Sequence, residues 1–412
     1  MRRRRRNFAS EIQNMARLRL FIAVFFVTIC AMLATAQDSI PAMSQVHDAV
    51  VENTDSTTLG KRPSIFQRFI NYFAESNKTD KNKKLDISFI GGPSYTNSTS
   101  FAVGVMGSGL YRMSGCDAAM QPSNVTIYTT ASVVGMVMVG VEGNNFFPDD
   151  RYRLNYDARF KYFPTKYWGV GYDECSVDDN ETEMKTLMGK FDAEFLFRLV
   201  DGLYLGPRVA GMVLKAYDID PEKMHLYHDQ ALKLHNFGIG MSLQYDSRDN
   251  VTNPHRGVYV NATQMFRPAF LGNDYAFSTT EITASAYQRL WKGGILAEQV
   301  KGAFNFGTPS WEMMATLGGS YVMRGYYEAR YRDKHAVAAQ VELRQHVWKR
   351  SGITVWGGAG SVFHDRTSLK QVLPNFGVGF RWEFKKNVNV RLDYGFGKGG
   401  QSGFVFNVNE AF

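Results

Sequence analysis

Cysteine is scarce in this chain, and past the first 36 residues there is no run of about 18 apolar residues. Three cysteines in 412 residues exclude a disulfide-stapled mini-fold, and no metal-ligand spacing occurs. The absent apolar run excludes an ordinary membrane-spanning helix. The chain also lacks a G-x-S-x-G nucleophile motif. Nor is its basic excess spread along it. Residues 1–36 hold seven arginines and one glutamate, and without them 40 basic residues face 38 acidic ones, a net of about +2. The high overall charge therefore predicts no nucleic-acid partner.

Residues 1–36 read as a secretory signal peptide: Met1 to Arg19 is basic, Leu20 to Leu33 mainly apolar, and Ala34-Thr35-Ala36 a small-residue cleavage site. Ile29 before Cys30 is too large for a lipid-anchor signal. Residues 37–83 form a polar leader. Within it, residues 64–76 predict a short amphipathic helix, with Ile65, Phe66, Phe69, Ile70 and Phe73 on one stripe behind the Ser64 cap. That stripe suits docking at a membrane surface, plugging a barrel mouth or packing under a wall.

Aromatics make up 14% of the chain, and from Lys84 onward apolar and polar residues alternate in segments of about ten, the pattern of a transmembrane β-barrel. Residues 84–412 give sixteen strand candidates. Tyr152, Leu154, Tyr156, Ala158, Phe160 and Tyr162 face lipid, with Arg151, Arg153, Asn155, Asp157, Arg159 and Lys161 in the lumen. Likewise Phe195 and Phe197 face out while Asp192, Glu194 and Arg198 face in. Val388, Val390, Leu392 and Tyr394 face out against an inward Arg391 and Asp393. Ile295 to Phe304 shows no clean alternation. Long joints fall at Pro164–Met184, Ala216–His235 and Phe306–His335, on the outer side. Tight ones fall near Val200, Leu290, Lys349 and Lys386, on the periplasmic side.

The longest loop carries Leu317 to Lys334, rich in arginine, glycine and tyrosine. At its centre Met323-Arg324-Gly325-Tyr326 sets a guanidinium beside a glycine that permits close backbone approach. The next strand alternates strictly, with Val337, Ala339, Val341 and Leu343 on one face and Gln340, Glu342, Arg344 and His346 on the other, so Glu342 points inward toward Arg324. The loop is expected to fold back into the lumen.

At this point the sequence resembles the BamA/TamA family of outer-membrane barrels, whose sixth outer loop carries a (V/I)RG(F/Y) tetrad that enters the lumen. The stretch YDSRDNVTNPHRGVYV, Tyr245 to Val260, is similar to the family's D-x-R-D-N strand pair. RLDYGFGKGGQSGFVFNVNEAF is similar to its last hairpin and terminal aromatic. Gly358 departs from the pattern, standing where the family has an aspartate. The resemblance implies an all-β, 16-stranded antiparallel barrel in the bacterial outer membrane. It also implies work on client polypeptides, by insertion or translocation, among outer-membrane lipids and partner proteins, with no cofactor, metal or catalytic residue. Only about 47 residues separate the cleavage site from the first strand, too few for a POTRA domain.

The family acts by opening between first and last strands. In this chain Gly91, Gly92 and Pro93 weaken the first strand's pairing or end it, while Gly403 lies near the start of a short last strand that ends at Phe412. These residues form the expected seam. Other readings are a scaffold barrel that anchors partners, and a lipid or solute channel. A lipid hydrolase would need Ser361 with His364, or Ser247. His225, His228 and Asp229 could chelate a metal but read as a solvated loop. Cys116 and Cys175 fall on opposite ends of the barrel and are not expected to pair.

Overall fold

The computed structural model describes residues 85–116, 122–365, 371–385 and 388–412. The expected signal peptide and the 64–76 helix lie outside these residues. Among the described residues eighteen strands follow in order. The first eight are β1 (Leu85–Thr96), β2 (Ser100–Tyr111), β3 (Ser123–Ser132), β4 (Val137–Phe146), β5 (Tyr152–Tyr167), β6 (Thr182–Val200), β7 (Leu203–Tyr217) and β8 (Lys233–Asp246). Next come β9 (Gly257–Arg267), β10 (Phe277–Trp291), β11 (Gly294–Gly307), β12 (Ala315–Leu317) and β13 (Tyr331–Asp333). The chain ends with β14 (His335–Trp348), β15 (Ser351–Phe363), β16 (Leu373–Lys385), β17 (Val388–Gly397) and β18 (Ser402–Val408).

Sixteen of these close into one antiparallel barrel, each strand beside its neighbour in sequence, with β11 against β14 and β1 against β18. The short β12 and β13 pair with each other inside the long connection between β11 and β14. The sequence-based count of sixteen wall strands and their antiparallel order is what the structure has.

Alternation fixes which side chains enter the barrel. On β14, Gln340, Glu342 and Arg344 are buried while Ala339 and Val341 are exposed. β11, where alternation was unreadable, turns Ile295, Ala297, Gln299 and Asn305 inward, and Val300 and Phe306 outward. Two features hide this: Gly302 carries no side chain, and Glu298 stands on the outward face, opposite Val341.

The connections at 168–181, 218–232 and 308–334 pack together at one end of the barrel. Tyr167, Tyr227 and Trp311 meet ring to ring, joined by Leu226 and Met184. The helix α1 (Tyr172–Ser176) docks on β13, where the Gly171 N–H donates to Arg332 O. Arg330 donates to Cys175 O at 3.1 Å and pairs with Asp178 at 2.6 Å. Cys116 and Cys175 are both free thiols. Burial pushes the Cys175 thiol up to about 11, so it is an unreactive packing residue.

Candidate functional site

The Met323–Tyr326 tetrad lies against the inward face of β14 to β17. Met323 takes a left-handed backbone, φ 56°, and Gly325 has φ 112°. Met323 is buried among Leu317, Tyr326, Tyr331, Ala336, Ala338 and Val362. The Tyr326 hydroxyl donates to Pro374 O at 2.6 Å and accepts the Lys398 N–H at 2.8 Å.

Arg324 is fully buried. Its Nη2 donates to Glu342 Oε2 at 2.6 Å and its Nη1 to Asp393 Oδ2 at 2.9 Å. Cζ stands 3.7 Å from the Trp356 ring centroid, so the flat guanidinium is held at its edge by two carboxylates and on its face by an indole. The structure thus brings Arg324 and Glu342 together. It adds Asp393 and Trp356, which sequence reasoning had not tied to the loop, although strand parity had already turned Asp393 inward.

Asp393 fills the gap left by Gly358. A Cβ at position 358 would lie 2.6 Å from Ala339 O and 2.7 Å from Asn375 Oδ1. No aspartate fits on β15 here, and the second carboxylate comes from two strands further on.

The network continues toward the chain end. Arg344 donates to Glu342 Oε1 at 2.7 Å, and Arg381 pairs with Glu410 at 2.7 Å and Asp393 at 2.5 Å. Glu410 reaches this cluster because the chain turns after β18: Asn409 has φ 68°, and its N–H donates to Asn389 O at 2.7 Å. Phe412 follows it inward, its oxygen accepting from Arg344 Nη2 at 2.8 Å and its ring lying 6.4 Å from that of Tyr287 on β10. The expectation that Phe412 lines the seam is therefore corrected. An asparagine that tolerates the left-handed conformation redirects the last residues into the barrel.

At the seam, β1 runs unbroken through Gly91, Gly92 and Pro93 and pairs with β2 at every residue from Leu85 to Thr96. Against β18, the described residues give one registered pair, Tyr95 with Phe406. By contrast β17 and β18 pair from Val390/Val408 to Phe396/Ser402. The Tyr95 ring also lies 5.6 Å from that of Phe404. At the β1–β2 turn Asn97 Nδ2 donates to Ser402 O of β18 at 2.8 Å, while Ser98 Oγ donates to Glu328 of the 308–334 connection at 2.9 Å. Gly403 has a role not read from sequence, since a side chain there would run into Asn97.

The remaining candidates do not converge. Ser361 Oγ has no hydrogen-bond partner among the described residues, so no base activates it. His225 bonds Glu222 O and His228 bonds Glu174. Among the described residues no group of His, Cys, Asp and Glu could hold a metal. The Asp246–Asn250 stretch knits its own turn: Asp249 Oδ1 accepts the N–H groups of His255 and Arg256, and Asn250 Oδ1 those of Thr252 and Asn253.

The Omp85 superfamily domain matches residues 143–412. No curated protein matches the chain. Among solved structures, BamA from Haemophilus ducreyi lacking POTRA domains 1–3 is similar with a TM-score of 0.56 and 11% identity, over 80% of this chain and 70% of that one. CdiB from Escherichia coli is similar with a TM-score of 0.55 and 10% identity, over 80% of this chain and 63% of that one. CdiB from Acinetobacter baumannii gives a TM-score of 0.51 and 8% identity, over 79% and 60%. These likenesses carry the barrel fold, and the family match carries the rest: the chain belongs to the Omp85 superfamily, barrels of the bacterial outer membrane that serve protein insertion or translocation.

Proposed function

We propose that this barrel handles its client polypeptides at the junction of β1 and β18, with the Arg324 loop bracing the wall beside it. The single registered pair between these strands is the observation that carries the reading. A strand paired on one side alone presents free N–H and C=O groups along its other edge, a template onto which an incoming strand adds by backbone hydrogen bonding. Pro93 removes one backbone donor from β1. Gly91 and Gly92 remove side chains that would pack a permanent neighbour.

The braced side differs in kind. Buried, doubly bonded Arg324 ties the loop to β14 and β17, so strain from opening falls on the thinly paired junction. The Asn97–Ser402 contact holds the outer end of the junction, which leaves its periplasmic stretch as the part that parts first. Omp85 proteins work with partner and client proteins in the outer membrane. For this chain we assign delivery of clients to partner proteins, in the periplasm or the membrane.

Depletion of the protein followed by quantitative proteomics of the outer membrane tests the reading. A broad fall in other barrel proteins marks an insertase. Loss of one or a few surface proteins marks a dedicated translocator. Unchanged levels of both, with stable co-purifying partners, would replace the reading with a scaffold.

A further inference from the structure

The outward, lipid-facing side of β5 to β8 carries a groove with a basic row above it. Strand register sorts the outward side chains into rows. One row holds Phe191, Gly211 and Phe237. The next, one step toward the end with the long connections, holds Phe160, Gly189 and Val213. One step further sets Lys215 directly opposite Lys233, and beyond it Lys185 stands opposite Tyr217. In the other direction the outward positions are uncharged, on β6 from Leu187 to Phe197, on β7 from Val213 to Leu203 and on β8 from Phe237 to Tyr245.

The two apolar rows form a groove of about 560 Å³. Its floor is Gly189, where a Cβ would meet nothing within 4 Å. Phe160 and Phe191 stand on either side, 52% and 42% exposed. Gly211 differs, because a Cβ there would run into the rings of Phe191 and Phe237, so those rings close one side of the groove. A mid-strand glycine weakens its strand, and open space above it admits close approach of another molecule. The lysines above the groove lack a counter-charge. Like charges directly opposite on an antiparallel pair are destabilising, yet neither Lys215 nor Lys233 forms an ion pair among the described residues. Lys215 only approaches the Tyr217 ring, 5.9 Å from its centroid, and Asp218 is taken by Lys185 at 2.5 Å. A lipid-facing lysine is costly at the bilayer midplane and tolerated near the headgroups, so this row marks the headgroup level.

We propose that this face is a docking site for a phosphate-bearing lipid, its phosphate between Lys215 and Lys233 and an acyl chain in the groove over Gly189. Charge complementarity selects this occupant. The phosphate turns a repulsive lysine pair into two charge-assisted contacts, and the apolar groove starts one row below, where the chain of such a lipid begins. β6 lies five strands from β1 around the barrel, so failure here leaves the reading of the β1–β18 junction untouched.

The test titrates the full folded chain in a neutral detergent and follows the temperature of conversion from the compact to the unfolded form in a semi-native gel. The probes are phosphatidylglycerol, diacylglycerol with the same chains, and glycerol phosphate without chains. A saturable upward shift with phosphatidylglycerol alone supports the site. An equal shift with diacylglycerol removes the phosphate from the account, an equal shift with glycerol phosphate removes the chain, and no shift removes the site; each overturns the proposal. Gly189→Leu fills the groove without meeting the wall and is expected to abolish the shift. Lys233→Gln is expected to raise the conversion temperature without lipid, because the repulsion is gone, and to raise the half-saturating lipid concentration about fivefold. A merely structural lysine would change the first and leave the second. An undiminished response in either variant overturns the proposal, as does a concentration-dependent dimer that Gly189→Leu disperses, which would give the face to a second copy of the chain. The wild-type comparison of the three probes decides the matter even where a variant fails to fold.

Discussion

Gly325 of the loop and Gly395 of β17 touch backbone to backbone. A Cβ on Gly325 would lie 2.8 Å from the Gly395 carbonyl carbon, and one on Gly395 would run into Arg324 O. This contact lets the guanidinium next door reach both Glu342 and Asp393. Gly325→Ala adds a collision to an unfavourable φ of 112°, and Gly395→Ala adds the collision alone. Both are expected to lower the conversion temperature in a semi-native gel, Gly325→Ala by more. A wild-type temperature for both would mean that the loop does not sit flush on the wall.

Removing the guanidinium strands two buried carboxylates. Arg324→Ala is expected to cost about 3–5 kcal/mol, the loss typical when one partner leaves a buried pair. Arg324→Lys should recover only part of it, because one ammonium cannot span both Glu342 and Asp393 while stacking on Trp356. Urea unfolding of the refolded barrel measures both. Equal midpoints for Lys and wild type would reduce the site to its charge.

Restoring the family's aspartate at position 358 is expected to damage the protein. Gly358→Asp forces a side chain against Ala339 O and Asn375 Oδ1, and adds a third carboxylate to a site where Asp393 already serves Arg324. A fall in folded yield is the expected result. The double variant Gly358→Asp with Asp393→Asn should fold no better than the single one, since the steric conflict remains.

On the periplasmic side, Asp249 carries a local pH dependence. Partial burial pushes its pKa up, but the N–H groups of His255 and Arg256, and their charges, pull it below the ordinary aspartate value overall. A depressed folded value means that the turn's stabilisation is fully present above the unfolded value of about 3.9 and is lost as pH falls through the folded one. Hydrogen exchange of the His255 and Arg256 amides should show constant protection above about pH 4 and a decline below it. Asp249→Asn should flatten that decline.

Much of the barrel was legible because the wall obeys a period of two. β5, β6, β14 and β17 alternate so regularly that Glu342, Arg391 and Asp393 could be turned inward from sequence, and the MRGY tetrad marked the loop opposite them. The pairing of Asp393 with Arg324 was not legible. Which inward side chain meets a loop depends on barrel curvature and strand stagger, and neither is written in a single strand's pattern. Phe412 was misplaced because the terminal hairpin reads as one continuous strand, whereas the left-handed Asn409 turns the chain inward. Gly403 was read only as a seam residue near the start of the last strand, and it is the space Asn97 occupies.

The central claim is that β1 and β18 must part for the protein to work. Tyr95 and Phe406 are Cα partners across that junction, within the reach of a disulfide. Cysteines placed at both positions, in a background with Cys116 and Cys175 changed to serine, can lock the junction in cells that depend on this chain. The account predicts that oxidation lowers the outer-membrane level of its client proteins and that reduction restores it, with either single cysteine behaving as wild type. Client levels that stay unchanged while the cross-link is shown to be complete would contradict it.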